Sequence, residues 1–192
     1  MRNIFVLLIC LSTATISFAQ IDVRTNPINA IFGNPDISAE FSAAPQFGVE
    51  IVANPILGGV LNFSLPDDID YRRRGFKGFI AGKYYFNEEK GMDNLSVGLY
   101  LKGKYVNYSA KQDGQSSENA AQNKVALGVL VGQKWVSDNN ITFGVDLGIG
   151  RSLINRINLE DEESATVDFA SVPFFNFDGI LRVSIGYRFG GQ

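Results

Sequence analysis

Histidine is absent from these 192 residues, and cysteine occurs once, at position 10. Without histidine there is no Ser-His or Cys-His nucleophile pair and no imidazole-bound metal. Long apolar runs are missing as well. Beyond the first ~20 residues, no stretch approaches the ~20 consecutive apolar residues that a membrane-spanning helix needs. Nor is there an excess of positive charge: 17 basic residues face 20 acidic ones, a net charge of −3, so no nucleic-acid partner is expected.

What is present begins with a leader. Arg2 precedes an apolar run from Ile4 to Leu11, followed by hydroxyl residues and Ser17-Phe18-Ala19-Gln20. This layout predicts a secretory signal peptide over 1–19, cleaved after Ala19, with an apolar core too short to stop in a bilayer. Cys10 lies inside that core rather than behind a small residue at its end, so lipidation is not expected. Removing Arg2 leaves 16 basic against 20 acidic residues, a charge near −4, in a chain without cysteine. An exported domain with no disulfide needs another restraint, and a closed hydrogen-bonded barrel supplies one.

Residues 20–192 read as strands of period two. Leu95, Val97, Leu99, Leu101 and Tyr105 alternate with Ser96, Gly98, Tyr100, Lys102 and Lys104. Over 124–136, Val125, Leu127, Val129, Val131 and Trp135 oppose Ala126, Gly128, Leu130, Gly132 and Lys134. Past a polar turn, Ile141, Phe143, Val145, Leu147 and Ile149 oppose Thr142, Gly144, Asp146, Gly148 and Gly150. The last strand sets Leu181, Val183, Ile185, Tyr187 and Phe189 against Arg182, Ser184, Gly186 and Arg188. Upstream, strands are expected over 75–86, with Phe79 off pattern, over 47–63 and over 37–41. Pro55 and Gly58-Gly59 suggest a bulge or bend within the second of these. A first strand over 21–32 would hold Pro27 at a bulge or unpaired position. The fold expected is all-β, an eight-stranded antiparallel up-and-down transmembrane β-barrel with its greasy faces toward lipid.

Connection lengths and aromatics agree with this reading. Short connections at 43–46, 87–94 and 137–140 alternate with longer ones at 64–71, 109–123 and 155–176. Only the connection around Gly33-Asn34-Pro35 is short where a long one is expected. Tyr84, Tyr85, Phe86, Trp135, Phe143, Tyr187 and Phe189 fall near short-turn ends, and Tyr105, Tyr108, Phe174, Phe175 and Phe177 near long-loop ends. Two aromatic belts match the two bilayer interfaces.

With these features in place, the chain resembles small outer-membrane β-barrels of the OmpA/OmpX type. Asp22-Val23-Arg24-Thr25-Asn26-Pro27, with Ile31-Phe32-Gly33-Asn34 and Tyr84-Tyr85-Phe86, is similar to segments of a Bacteroidetes family of such barrels. Its closing strand departs from the usual terminal aromatic, since Phe189 is followed by Gly190-Gly191-Gln192. The resemblance implies a fold and a location, the outer membrane of a Gram-negative cell, but no reaction. It also implies outer-membrane lipids and the barrel-assembly machinery as partners.

Chemistry is sparse. The polar faces collect Lys77, Lys83, Lys102, Lys104, Lys134, Arg182 and Arg188 against Glu40, Glu50 and Asp146. An eight-stranded interior is just wide enough for side chains to fill, so these charges must pair or meet water. A salt-bridged plug is one reading, and a narrow anion-favouring pore is the other. Arg72-Arg73-Arg74, where the second long loop enters the barrel, could clamp lipopolysaccharide phosphates or be neutralised by Asp67, Asp68 and Asp70. Glu160-Asp161-Glu162-Glu163 lacks the spaced ligands and glycine of a calcium loop. No catalytic residue, metal or cofactor is expected. The anticipated role is that of a monomeric, non-enzymatic barrel with a structural or surface-interaction task carried by its long loops. A lipocalin-like soluble barrel with inward greasy faces is the remaining alternative.

Overall fold

A computed structural model of the chain describes residues 20–57, 69–112, 118–159, 165–168 and 176–190. The leader, Gly58-Gly59 and the 160–163 acidic run lie outside these residues. The strands are β1 (Ile21–Thr25), β2 (Ile37–Ala44), β3 (Phe47–Ile56), β4 (Ile69–Phe86), β5 (Asn94–Gln112), β6 (Glu118–Val136), β7 (Ile141–Leu159), β8 (Ala165–Asp168) and β9 (Phe177–Phe189). Each of β1 to β7 pairs antiparallel with its successor, β7 also pairs with β9, and β9 returns to β1. The ring therefore closes on eight strands, with short β8 added at the far end of β7. Residue partners followed from Val23 through β2 to β7 arrive at Phe177, whereas Val23 itself pairs with Tyr187, ten residues farther along β9. A stagger of that size tilts the strands by roughly 40° to the barrel axis.

The faces are inverted relative to a soluble barrel. Leu181 is 75% exposed and Leu99 64%, and the alternating aliphatics of β4 to β7 point outward beside them. Asp22, Glu40 and Glu50 are fully buried, as are Lys83 and Lys134 at 1% and 2%. The lipocalin-like alternative needs the opposite arrangement and is ruled out by this geometry. Phe79 obeys the alternation after all. It faces inward and packs edge-on against Tyr100, with ring centroids 6.4 Å apart.

Three other expectations are corrected. The first strand stops at Thr25, and Pro27–Ile31 forms a helix, α1. Asn26 caps it, its side-chain oxygen accepting from the Ile28 and Asn29 N–H groups at 3.0 and 3.1 Å. Pro27 lacks an N–H and suits the first helical turn, where none is needed. No bulge occurs at Pro55, because the β3–β4 register runs unbroken through Pro55 and Phe76. Pro55 lies beyond the Ile37–Ala53 pair that ends the β2 ladder, so it breaks no bond on that side. Finally, much of the expected long connections is strand. Pairing of β5 with β6 continues to Ala110 and Glu118, and β7 reaches Leu159.

A bulge in the β6–β7 ladder leaves Leu153 unpaired between Ser152 and Ile154. It shifts the inward positions of β7 from even to odd numbers. Asn155 is thereby buried and accepts from Gln122 Nε2 at 3.0 Å.

Candidate functional site

The barrel lumen is the candidate site, and it is divided along its axis. At the short-turn end lies a dense charge network. The Arg24 guanidinium donates to Glu40 Oε2 at 2.6 Å and to Glu50 Oε1 at 2.8 Å. Glu40 and Glu50 are directly opposed in the β2–β3 register, so Arg24 bridges two carboxylates that would otherwise repel. Lys83 joins Glu50 at 2.7 Å to Asp146 at 2.9 Å. Arg182 donates to Glu50 Oε1 and to Ser38 Oγ, both at 2.7 Å, and stands 3.6 Å from Asp36 and from Asp146. Lys134 spans Asp22 at 2.7 Å and Glu40 at 2.8 Å, while the Tyr85 hydroxyl donates to the other Glu40 oxygen. Five cations thus meet five carboxylates: Arg24, Lys83, Lys134, Arg182 and Arg188 against Asp22, Asp36, Glu40, Glu50 and Asp146.

Small residues make room for these long side chains. A Cβ on Gly144 would lie 2.8 Å from Arg24 Nη1, and one on Gly48 2.6 Å from Glu40 Oε1. Gly48 and Gly144 are therefore lumen spacers, and the Gly144 to Gly150 run belongs to β7 rather than to a phosphate loop.

The segment 87–93 closes the short-turn mouth. Asn87 and Asn94 bracket it in left-handed conformations (φ 51° and 64°), which asparagine tolerates. Asp93 accepts from the Glu89 and Lys90 N–H groups at 2.9 and 3.1 Å, and Met92 is fully buried. Arg188 holds this segment to the wall. It donates to the carbonyls of Lys90 and Met92 and makes a two-point contact with Asp22, at 2.6 and 2.8 Å. Bidentate geometry fixes orientation as well as distance.

Above the network sits an apolar floor of Ala81, Tyr100 and Leu130, with Phe79 and Ile180 packed against it. Tyr100 lies over glycines: a Cβ on Gly128 would be 2.6 Å from its ring and one on Gly150 2.5 Å from its hydroxyl. Its hydroxyl donates to Asp178 at 3.0 Å.

On the long-loop side the balance changes. Asp178 receives Lys102 at 3.1 Å and Lys124 at 2.9 Å. Lys104 donates to Gln122 Oε1 at 2.9 Å and to the Tyr108 hydroxyl at 3.3 Å. Lys77 has neither an ion pair nor a hydrogen bond among the described residues.

The ten charges expected in the lumen do not form one cluster. Glu40, Glu50, Lys83, Lys134, Asp146, Arg182 and Arg188 join the lower network; Lys77, Lys102 and Lys104 make no ion pair with it, although Lys77 and Lys102 line one cavity with its Asp36 and Arg182. Sequence reasoning missed Asp22, Arg24, Asp36, Lys124 and Asp178. Asp22 and Arg24 alternate with Ile21 and Val23, so the signal was available in the short first strand. Arg72, Arg73 and Arg74 are not at a loop mouth. They lie within β4, opposite Ser109, Tyr108 and Asn107. Neighbouring strand residues point to opposite faces, so Arg73 (half-buried) and Arg74 (exposed) cannot close on one phosphate together.

Among solved structures the chain is similar to a major outer membrane protein from Thermus thermophilus. The TM-score is 0.56 at 12% identity, over 88% of this chain and 98% of that one. That likeness shows the fold. No family model matches the sequence, and no curated protein does. The barrel is thus established by its own closed ladder and by a structural neighbour of very different sequence.

Proposed function

We propose that the chain is a non-enzymatic β-barrel of the Gram-negative outer membrane, monomeric, with a structural or surface-interaction role. The observation carrying this reading is the inverted partition: oily side chains cover the outside while fully buried carboxylates and cations fill the inside. In water such an exterior would aggregate, whereas in a bilayer it is the stable arrangement. The leader over 1–19 supports export. Both described ends of the chain lie at the short-turn mouth, which in such barrels faces the periplasm. Strands β4 to β7, of 18 or 19 residues, exceed the ~9–11 that cross a bilayer, so they extend the wall beyond it on the long-loop side. That projecting sheet is the surface available to external partners. Arg74, exposed on β4, is available to lipopolysaccharide phosphates.

A pore would require lumen water beside the lower charges, yet these side chains have almost no accessible surface. The geometry favours a plug.

The test is insertion. Refolded into liposomes, the protein should resist carbonate extraction and run faster in cold detergent than after boiling. Release into the carbonate supernatant, or a single unchanged band, would remove the membrane reading.

A further inference from the structure

The outer wall carries a groove that the alternation of apolar side chains does not account for. It has a volume of about 830 Å³, within the ~300–1,000 Å³ of small-molecule sites. Its floor is a row of small residues brought together by register: Ala53 pairs with Gly78, Gly78 with Gly103, and Gly103 with Val125. Strands β3, β4 and β5 thus lose their outward bulk at one row. A Cβ on Gly103 would meet nothing within 4 Å, so open space lies above it. The exposed pair Phe76–Tyr105 forms a ridge on one side of this row, and the exposed pair Ile80–Leu101 a ridge on the other.

Both ridges end on arginine. The Tyr105 row continues through Asn123 to Arg156, and the Leu101 row through Leu127 to Arg151. These rows climb toward the long-loop side, since the second goes on to Phe177 at the start of β9. Arg151 is exposed on the oily outer surface beside Leu127 and Phe177, its partners on the neighbouring strands. It has no ion pair and no side-chain hydrogen bond among the described residues. A cation on such a wall is costly unless an anion or water meets it, and it marks a place where a partner belongs. Arg156 meets Asp168 at 3.6 Å, but both are exposed, and a solvated pair of that length exchanges readily for another anion. No carboxylate faces outward between the two aromatic belts among the described residues. A second copy of the chain would therefore bring these arginines no counter-charge. The partner must be apolar along the groove and anionic at its upper end.

Resting on the outer-membrane reading above, we propose that this groove binds one phosphorylated glycolipid of the outer leaflet. An acyl chain lies over Gly78 and Gly103 between the ridges, and the phosphates meet Arg151 and Arg156. On β6 the register partners of the two arginines, Leu127 and Asn123, are four residues apart, about 13 Å. A headgroup with two phosphates serves both arginines, whereas a glycerophospholipid brings one phosphate.

The experiment is native mass spectrometry of the refolded barrel in detergent, run alongside carbonate extraction from liposomes. The probes are lipid A, its dephosphorylated form and phosphatidylglycerol. The expected result is one lipid A per chain, with the other two lipids at least tenfold weaker. Arg151→Gln should weaken lipid A binding at least tenfold and Arg151→Glu should abolish it, while Lys90→Gln at the opposite mouth changes nothing. Gly103→Leu fills the groove but leaves both arginines, and should also weaken binding at least tenfold. Gly103→Ala, a single methyl in open space, should give a smaller loss in the same direction. Cold-detergent mobility verifies that each variant is folded. Undiminished binding in Arg151→Gln or in the Gly103 variants overturns the assignment, as does equal affinity for phosphatidylglycerol. A two-chain species that Gly103→Leu dissolves would give the groove to a second copy instead. A barrel that resists carbonate but takes up no lipid A overturns this inference alone; one that fails to insert removes the reading beneath it as well.

Discussion

The two halves of the lumen are built from the same residue types but to different ends. Toward the short turns, five cations and five carboxylates interlock and each charge touches an opposite one. Toward the long loops, Asp178 is shared by Lys102 and Lys124 while Lys77 and Lys104 have no carboxylate within ion-pair distance among the described residues. Between them lies one apolar layer centred on Tyr100. The difference teaches that charge in a narrow barrel acts as filler only where it is neutralised.

The sharpest way to break the comparison is to remove a charge from each half. Arg24→Ala leaves Glu40 and Glu50 buried and opposed, and should cost about 3–5 kcal/mol in denaturant unfolding followed by cold-detergent mobility. Lys77→Gln, in the other half, should stay within about 0.5 kcal/mol of the parent. Equal losses would show that the halves are not distinct. Next in size is a change on the outer wall. Leu99→Arg puts a charge where acyl chains should lie and is expected to cost about 2–4 kcal/mol in liposomes. A negligible effect there would place that face in water.

A smaller change probes the boundary. Tyr100→Phe removes one hydrogen bond to Asp178 while leaving the ring in place. It should cost about 1–2 kcal/mol, read as a shift in the urea midpoint. Smallest of all is the exposed Lys90–Asp138 pair at the short-turn mouth. The Lys90 ammonium, through its hydrogen bond, holds the Asp138 carboxyl below its ordinary range. Any stability it confers is present above the unfolded carboxylate range and is lost as pH falls through the lowered folded value. Because the site is fully solvated, Asp138→Asn should leave the unfolding midpoint unchanged at neutral pH, and acidification should separate the two proteins no further.

The middle of the barrel was legible because one face of each strand is apolar there. A slip of one residue would reverse every side chain, so the alternation in 95–101, 125–135 and 141–149 fixes orientation. Beyond these stretches both faces turn polar, as in 107–112 and 118–123, and periodicity no longer separates strand from loop. Pairing continues there because the backbone ladder does, which is why the expected loops exceed the real ones. The helix is hidden for another reason. Asn26-Pro27 is a cap followed by a first-turn proline, but the same pair reads equally as a flaw in a strand. The lumen partners follow a similar line: Glu40, Glu50 and Asp146 are visible by alternation, whereas Arg24, which bridges the first two, lies in a strand of only five residues.

The clasp between Asp22 and Arg188 ties the second residue of β1 to the penultimate residue of β9. During biogenesis, then, the earliest wall segment waits for the latest. Until the thirteen residues of β9 dock, Asp22 has no guanidinium and the rim of β1 has no neighbour on one side. Truncation before β9 should therefore leave an open, sticky ribbon rather than a smaller cylinder, and ring closure becomes a single late event.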